Sequence, residues 1–271
     1  MADGERAAGW DATDEGSGRP VALITGGARR VGRAIAFALA RAGCDVIITF
    51  RGSDREARTL LEEVRPLGAR GACERLDLSD LVAVRGFAAG FARSHARLDV
   101  LVHNASVYEP SPLESLARTP GPGEVSADEM LTVNAVAPLV LTAGLAGLLR
   151  SSVLPGGGAV VAMCDIHAMG RPRRDHAAYS MSKAALAEMV RSLARDLAPG
   201  VRVNGVAPGV VAWPEAGAEA DPAMQERYLS RVPLGRAGTP EDAAEAVRWL
   251  ALEARYTTGQ VVRVDGGRWL A

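Results

Sequence analysis

Short apolar runs alternate with longer amphipathic stretches along this chain. The runs are 21–24, 46–48, 100–102, 159–162, 201–203 and 261–264. Apolarity over three or four residues, interrupted here only by Arg202 and Arg263 and bounded by turn formers, reads as strand. Helical spacing fills the intervals at 33–42, 53–64, 80–96, 128–150, 179–197 and 241–252, with Gly43 and Gly200 placed as C-caps of two of these helices.

Strand alternating with helix implies right-handed crossovers and a parallel sheet. The expected fold class is therefore α/β: a doubly wound, Rossmann-like parallel sheet with helices on both faces, in a single domain. In such sheets ligands bind beyond the carboxyl ends of the strands, so the residues just after each apolar run are where chemistry is expected. Two segments after strands, 109–126 and 208–222, are rich in Pro, Gly or small residues and are candidate substrate walls.

With 271 residues and 48% hydrophobic content, the chain suits one core, assigned here to residues 20–271. Residues 1–19 are rich in Gly, Asp and Glu and lack an apolar stretch, so they read as a disordered tail and not a secretory signal. The net charge of −1, with both signs interspersed, gives no footprint for nucleic acid or an anionic membrane and leaves a small-molecule substrate as the expected partner. No apolar run was expected to approach the roughly 20 residues that span a bilayer. Cys44, Cys73 and Cys164 are scattered, which suits reduced thiols in a cytoplasmic protein. His95, His103, His167 and His176 lack metal-ligand spacing, and no metal site is expected.

The first strand runs into Thr25-Gly26-Gly27-Ala28-Arg29-Arg30-Val31-Gly32 and then a helix. Glycines there allow a tight turn and let a pyrophosphate reach backbone N–H groups at the helix N-terminus. The second strand ends at Thr49-Phe50-Arg51-Gly52-Ser53, without the acidic residue that binds a ribose 2′-hydroxyl. Arg51 and Ser53, with Arg29 or Arg30, suit a 2′-phosphate instead, so NADP(H) is the expected cofactor. Tyr179 and Lys183 stand four apart on one predicted helix. An ammonium beside the phenol is expected to lower its pKa and fit it for proton transfer.

These motifs, in this order over 20–270, resemble the short-chain dehydrogenase/reductase family. The resemblance implies that Gly26, Val31 and Gly32 belong to the cofactor turn, and that Asp77 and Leu78 contact adenine. It also implies that Asn104 and Ala105 belong to the Asn-Asn-Ala element, that Pro208 and Gly209 lie beside the nicotinamide, and that Asn134, Tyr179 and Lys183 are catalytic. A homotetramer is implied as well. Two departures are similar to those of pteridine reductases. Arg30 stands where the turn usually has its middle glycine, and Cys164-Asp165-Ile166 stands where the catalytic serine is usual. The expected reaction is thus NADPH-dependent reduction of a dihydropterin or dihydrofolate. Arg30, Ser106, Tyr108, Asp165 and Tyr179 would face the substrate, and Asp165 would assist Tyr179 in proton transfer. The alternatives are a carbonyl reductase acting on a 3-oxoacyl thioester or small ketone, and a non-catalytic NADPH-sensing regulator.

Overall fold

The strand interiors are apolar because helices cover both faces of the sheet they form. The computed structural model describes residues 18–213 and 220–271. Its strands are Val21–Thr25 (β1), Asp45–Phe50 (β2), Gly71–Arg75 (β3), Val100–His103 (β4), Gly158–Met163 (β5), Val201–Pro208 (β6) and Val261–Val264 (β7). All pair in parallel as one seven-stranded sheet in the order β3-β2-β1-β4-β5-β6-β7. The helices are Arg30–Arg41 (α1), Asp54–Val64 (α2), Leu81–Ser94 (α3), Leu113–Leu116 (α4), Ala127–Leu131 (α5), Ala137–Arg150 (α6), Ala177–Asp196 (α7), Pro222–Leu229 (α8) and Pro240–Leu252 (α9). The two buried clusters lie on opposite faces of the sheet, one built around Leu23, Leu101 and Val160 and the other around Ile24, Val102 and Val161. The doubly wound, single-domain fold expected from the sequence is the fold observed. The expected tail lies outside the described residues apart from Gly18 and Arg19, as does 214–219 of the second long loop.

Three expectations need correction. The strand β3 was not anticipated, because Gly-Ala-Cys-Glu-Arg has no apolar run; it is an edge strand paired only with β2, and only Cys73 is buried. Gly200 does not cap α7, which ends at Asp196 with Leu197 as its C-cap, and the chain then passes through a cis Ala198–Pro199 bond. Gly43, by contrast, takes φ +95° and donates its N–H to Ala40 O, as a capping glycine does. Finally, the continuous helical stretch Ala127–Arg150 is long and apolar enough to cross a bilayer by length and composition. Its apolarity has a local cause: Leu141, Leu145 and Leu149 are fully buried in the core against β4, β5 and α3.

Buried charge pins the amino-terminal edge of the sheet. The fully buried Asp99 carboxylate accepts hydrogen bonds from Val21 N (2.8 Å), Ser152 Oγ (2.7 Å) and Val153 N (2.8 Å), and pairs with Arg97 at 3.2 Å. At the opposite edge His103 is buried, with Nε2 2.7 Å from Thr142 Oγ1, and burial pulls its pKa down to about 3. An unfolded histidine titrates near about 6.5, so the unfolded chain binds the proton first and stability drops as pH falls from that value toward the folded one. In His103→Gln the fall in thermal midpoint between about pH 6.5 and about pH 4.5 is expected to be shallower than in wild type; parallel curves would show that this imidazole does not contribute.

Candidate active site

Every strand that flanks the crossover reversal between β1 and β4 delivers residues to one cleft of about 710 Å³ at the carboxyl edge of the sheet. Its inner half is shaped for a dinucleotide. Gly26 takes φ +63°, and a Cβ on Gly32 would lie 2.1 Å from Gly26 O and 2.6 Å from Asn104 Nδ2, so the turn can close only on glycine. Asn104 locks that turn by donating to Thr25 O and Gly26 O at 3.1 and 3.0 Å. The amino end of α1 carries no acidic residue and no side-chain cap, which leaves its N–H groups for a phosphate. Val31, Arg51, Asp77, Leu78, Ala105, Pro208 and Gly209 line the same cleft, and this half of the site fits a dinucleotide.

Just after β2 Arg51 is exposed, 3.9 Å from Glu129, and Arg29 lies 4.0 Å from Glu56. Partial burial would raise the Asp77 pKa. Hydrogen bonds from Ser79 and the charges of Arg51 and Arg75 outweigh it, and the carboxyl sits below its ordinary value. Ser53 is outside the cleft lining and makes no capping hydrogen bond at α2.

Arg30 opens α1 and lines the cleft. It adopts φ +50°, the left-handed conformation that glycine usually supplies, and its Nη2 donates to Ala212 O and Trp213 O, both at 3.0 Å. It thus spans the cleft from the α1 turn to the segment after β6. Since Arg30 lines the cleft, its guanidinium stays within the site although main-chain carbonyls hold it.

The reacting end is built by β5 and α7. Asp165 follows β5 and caps a short 3₁₀ turn through Oδ1, which accepts from His167 N at 2.6 Å. Its other oxygen accepts from Tyr179 Oη at 2.8 Å. Lys183, one turn along α7 and buried, donates to Met163 O at 2.8 Å and stands 5.9 Å from the Tyr179 ring centroid. The expectation that the amine lowers the phenol pKa is overturned here. Burial first, then the Asp165 charge and the hydrogen bond it accepts, raise Tyr179 well above 10, while burial lowers Lys183. The carboxylate wins because it touches the hydroxyl and the ammonium does not.

Asn134 sits in a single π turn, Thr132–Val136, between α5 and α6, a local widening that turns its amide inward. Every hydrogen bond recorded for that amide is to a neighbouring wall: Oδ1 accepts from Val107 N (2.8 Å) and Ser106 Oγ (3.1 Å), and Nδ2 donates to Val107 O and Ser182 Oγ (2.9 Å each). Asn134 therefore fixes the strand-end segment carrying Ser106 and Tyr108, and does not itself line the cleft. Tyr108 meets Tyr179 edge to face, with centroids 4.7 Å apart. Its hydroxyl accepts from Arg173 Nη1 at 2.7 Å.

Arg173 and Tyr228 were not anticipated from the sequence. The signal for Arg173 was the arginine-dense turn Gly170-Arg171-Pro172-Arg173-Arg174 between Asp165 and Tyr179. Tyr228, on α8, gave none, because its place depends on how the segment after β6 folds back.

Comparison with known proteins agrees with this geometry. Residues 26–268 match the family model described as enoyl-(acyl carrier protein) reductase. The L-rhamnose 1-dehydrogenase (NAD(P)(+)) of Azotobacter vinelandii is 34% identical, covering 90% of this chain and 94% of its own. The 3-oxoacyl-(acyl-carrier-protein) reductase of Staphylococcus aureus strain Mu50 is 30% identical over 92% and 98%. The crystal structure of a putative short-chain alcohol dehydrogenase from Sinorhizobium meliloti 1021 superposes with a TM-score of 0.83 at 28% identity, covering 94% and 98%. The chain belongs to the short-chain dehydrogenase/reductase family and is an oxidoreductase.

Because the Asp165 charge adds to burial in holding the phenol protonated, Asp165→Asn is expected to move the Tyr179 ionisation to lower pH in an alkaline absorbance titration. A curve unchanged from wild type would show that burial alone sets it.

Proposed function

We propose that this protein reduces a pteridine of the dihydropterin or dihydrofolate class with NADPH. The observation that carries the reading is the Asp165 carboxylate hydrogen-bonded to the Tyr179 hydroxyl at 2.8 Å, where a serine would polarise a carbonyl in the family pattern. A pterin is flat and edged with ring nitrogens, so it suits an aromatic wall with hydrogen-bonding groups at its rim. Tyr108 supplies the ring, and Ser106, Arg30 and Arg173 supply polar groups around the same cleft.

NADPH, when bound, supplies hydride to a ring carbon. The chain's own residues do the rest. The Tyr179 hydroxyl delivers a proton to the adjacent ring nitrogen, and its raised pKa keeps that proton in place until the substrate nitrogen accepts it. Asp165 orients the hydroxyl and passes a replacement proton from solvent. Lys183, fixed on Met163 O, presents its ammonium to the cofactor side of the cleft and favours the transient phenolate electrostatically. Asn134 is a positioning residue that holds Ser106 and the Val107 backbone. Arg51, with Arg29, would bind the 2′-phosphate, and the lack of an acidic residue at the end of β2 favours NADP(H) over NAD(H).

A second reading, reduction of a carbonyl, is favoured by the named activities of the relatives above. Tyr179 would serve it alone as proton donor. Steady-state NADPH oxidation separates the two. Turnover is expected with dihydrobiopterin, dihydromonapterin or dihydrofolate and not with acetoacetyl-CoA, and the reverse pattern would replace the first reading by the second. Tyr179→Phe is expected to lower kcat by about 10²-fold or more while NADPH affinity stays within about threefold. Equal inactivity of wild type and variant toward every substrate, with NADPH still bound, would instead mark a nucleotide sensor.

A further inference from the structure

Five side chains of the cleft close a circuit around the proton donor, and the link between two of them, His167 and Arg173, has no part in the chemistry above. Asp165 accepts from the Tyr179 hydroxyl with one oxygen and from His167 N with the other. The Tyr179 ring meets Tyr108 edge to face at 4.7 Å. The Tyr108 hydroxyl accepts from Arg173 Nη1 at 2.7 Å, and Arg173 Nη2 lies 3.3 Å from His167 Nε2, which returns the path to its start. Tyr108, Asp165, His167, Arg173 and Tyr179 all line the same cleft.

The partners fix the state of the imidazole. His167 Nδ1 lies 3.1 Å from Arg171 O, a carbonyl that can only accept, so Nδ1 carries a hydrogen. A guanidinium has no acceptor to offer, so Nε2 presents its lone pair to Arg173 Nη2. The ring is therefore neutral, in its Nδ1–H form. The planar fork of Arg173 spans two acceptors, the imidazole on one side and the Tyr108 hydroxyl on the other, and loss of the acceptor at Nε2 removes one of the contacts that aim it.

The surroundings agree with a neutral ring. His167 faces Asp165 on its own turn, with Tyr179 of α7 bonded to that carboxylate, and Arg171 and Arg173 on the loop that follows. Tyr228 approaches from α8, at 6.5 Å between ring centroids, and Arg268 adds its charge from the carboxyl-terminal turn. Burial, then the Arg173 charge, lower the His167 pKa below its ordinary 6.5, outweighing Asp165 and the Arg171 carbonyl, which raise it.

We propose that His167 and Arg173 are positioning residues for the reacting end: neutral His167 aims Arg173, and Arg173 holds the Tyr108 hydroxyl so that the ring stands against Tyr179 as a wall for the substrate. The wall's service to a substrate rests on the pterin reading above; the linkage of the three side chains does not. A protonated imidazole would turn N–H toward N–H across the same gap and set two cations side by side. The wall is therefore held while His167 is neutral and released as pH falls through its pKa.

Two measurements on the intact chain test this. Long-range ¹⁵N–¹H correlation spectra are expected to show His167 in the Nδ1–H form at about pH 7.5. The Tyr108 ring signals are expected to shift along the His167 titration in wild type and to stay still in His167→Gln, whose amide oxygen replaces the acceptor without titrating. An Nε2–H form, or Tyr108 signals that ignore the titration, would overturn the proposal whatever the substrate. In steady-state kinetics with NADPH and dihydrobiopterin, the wild-type KM is expected to rise at least about threefold between about pH 7.5 and about pH 4.5, and in His167→Gln by less than about 1.5-fold. His167→Phe, which offers no acceptor, is expected to raise KM about tenfold at about pH 7.5 with kcat within about threefold. Equal KM values and equal pH profiles in all three proteins would also overturn the proposal. No turnover of any pterin would bring down the pterin reading, while spectra as expected would uphold this positioning.

Discussion

The hydrogen bond between the Tyr179 hydroxyl and the Asp165 carboxylate is the contact around which the site is organised. A phenol and a carboxylate brought together in a buried place share one proton, and low polarity strengthens the bond while penalising ionisation of the phenol. Holding the two at 2.8 Å requires the end of β5 and the first turn of α7 to be fixed relative to each other. Lys183 Nζ does so directly by donating to Met163 O, while Cys164 N holds the strand end by donating to Val206 O and Asn134 Nδ2 holds the helix by donating to Ser182 Oγ. The family's tyrosine and lysine are thus retained, but the group that governs the tyrosine here is an acid.

That consequence changes how the pair is understood. A lysine beside a phenol prepares a base, whereas a carboxylate in contact with it preserves an acid. Reduction of a C=N bond needs a proton donor that survives until hydride has arrived, and a phenol held above its ordinary pKa meets this need. Lys183 serves a different end, since its buried ammonium is tied to a main-chain carbonyl at the carboxyl edge of the sheet, next to the cofactor half of the cleft.

Much of this was legible in the sequence, for physical reasons. Strands buried on both faces are mostly apolar, so β1, β2, β4, β5 and β6 stand out as runs, and β7, though an edge strand, is legible through Val261, Val262 and Val264. β3 did not, because an edge strand has one neighbour and need not be apolar. The glycine turn was legible because a Cβ at Gly32 has no room, and the fourfold spacing of Tyr179 and Lys183 because a helix puts them on one face. Electrostatics were not legible. Whether the amine or the carboxylate controls the phenol depends on a few ångströms set by a loop, and periodicity does not report those. Nor could it show that the Asn134 amide would be consumed by Val107 and Ser182, or that Arg268, remote in sequence, would lie over Tyr228.

The two departures from the family pattern share a direction. Arg30 replaces a turn glycine and uses its side chain to hold Ala212 and Trp213, which follow β6. Trp213 packs edge-on against Tyr228, whose hydroxyl accepts from Val210 N and whose ring lies under Arg268. A cation at the head of α1 is thereby linked through an aromatic pair to Arg268 near the carboxyl end of the chain. Asp165 likewise acts on the proton donor and leaves the nucleotide turn untouched. In the inner half of the cleft Gly26, Gly32 and Asn104 are locked by backbone geometry, while the two departures, Arg30 and Asp165, direct their side chains to the segment after β6 and to Tyr179. Selection for a new substrate on an unchanged source of hydride would leave this division, because a dinucleotide turn that admits no Cβ tolerates little change and a loop-built wall tolerates much.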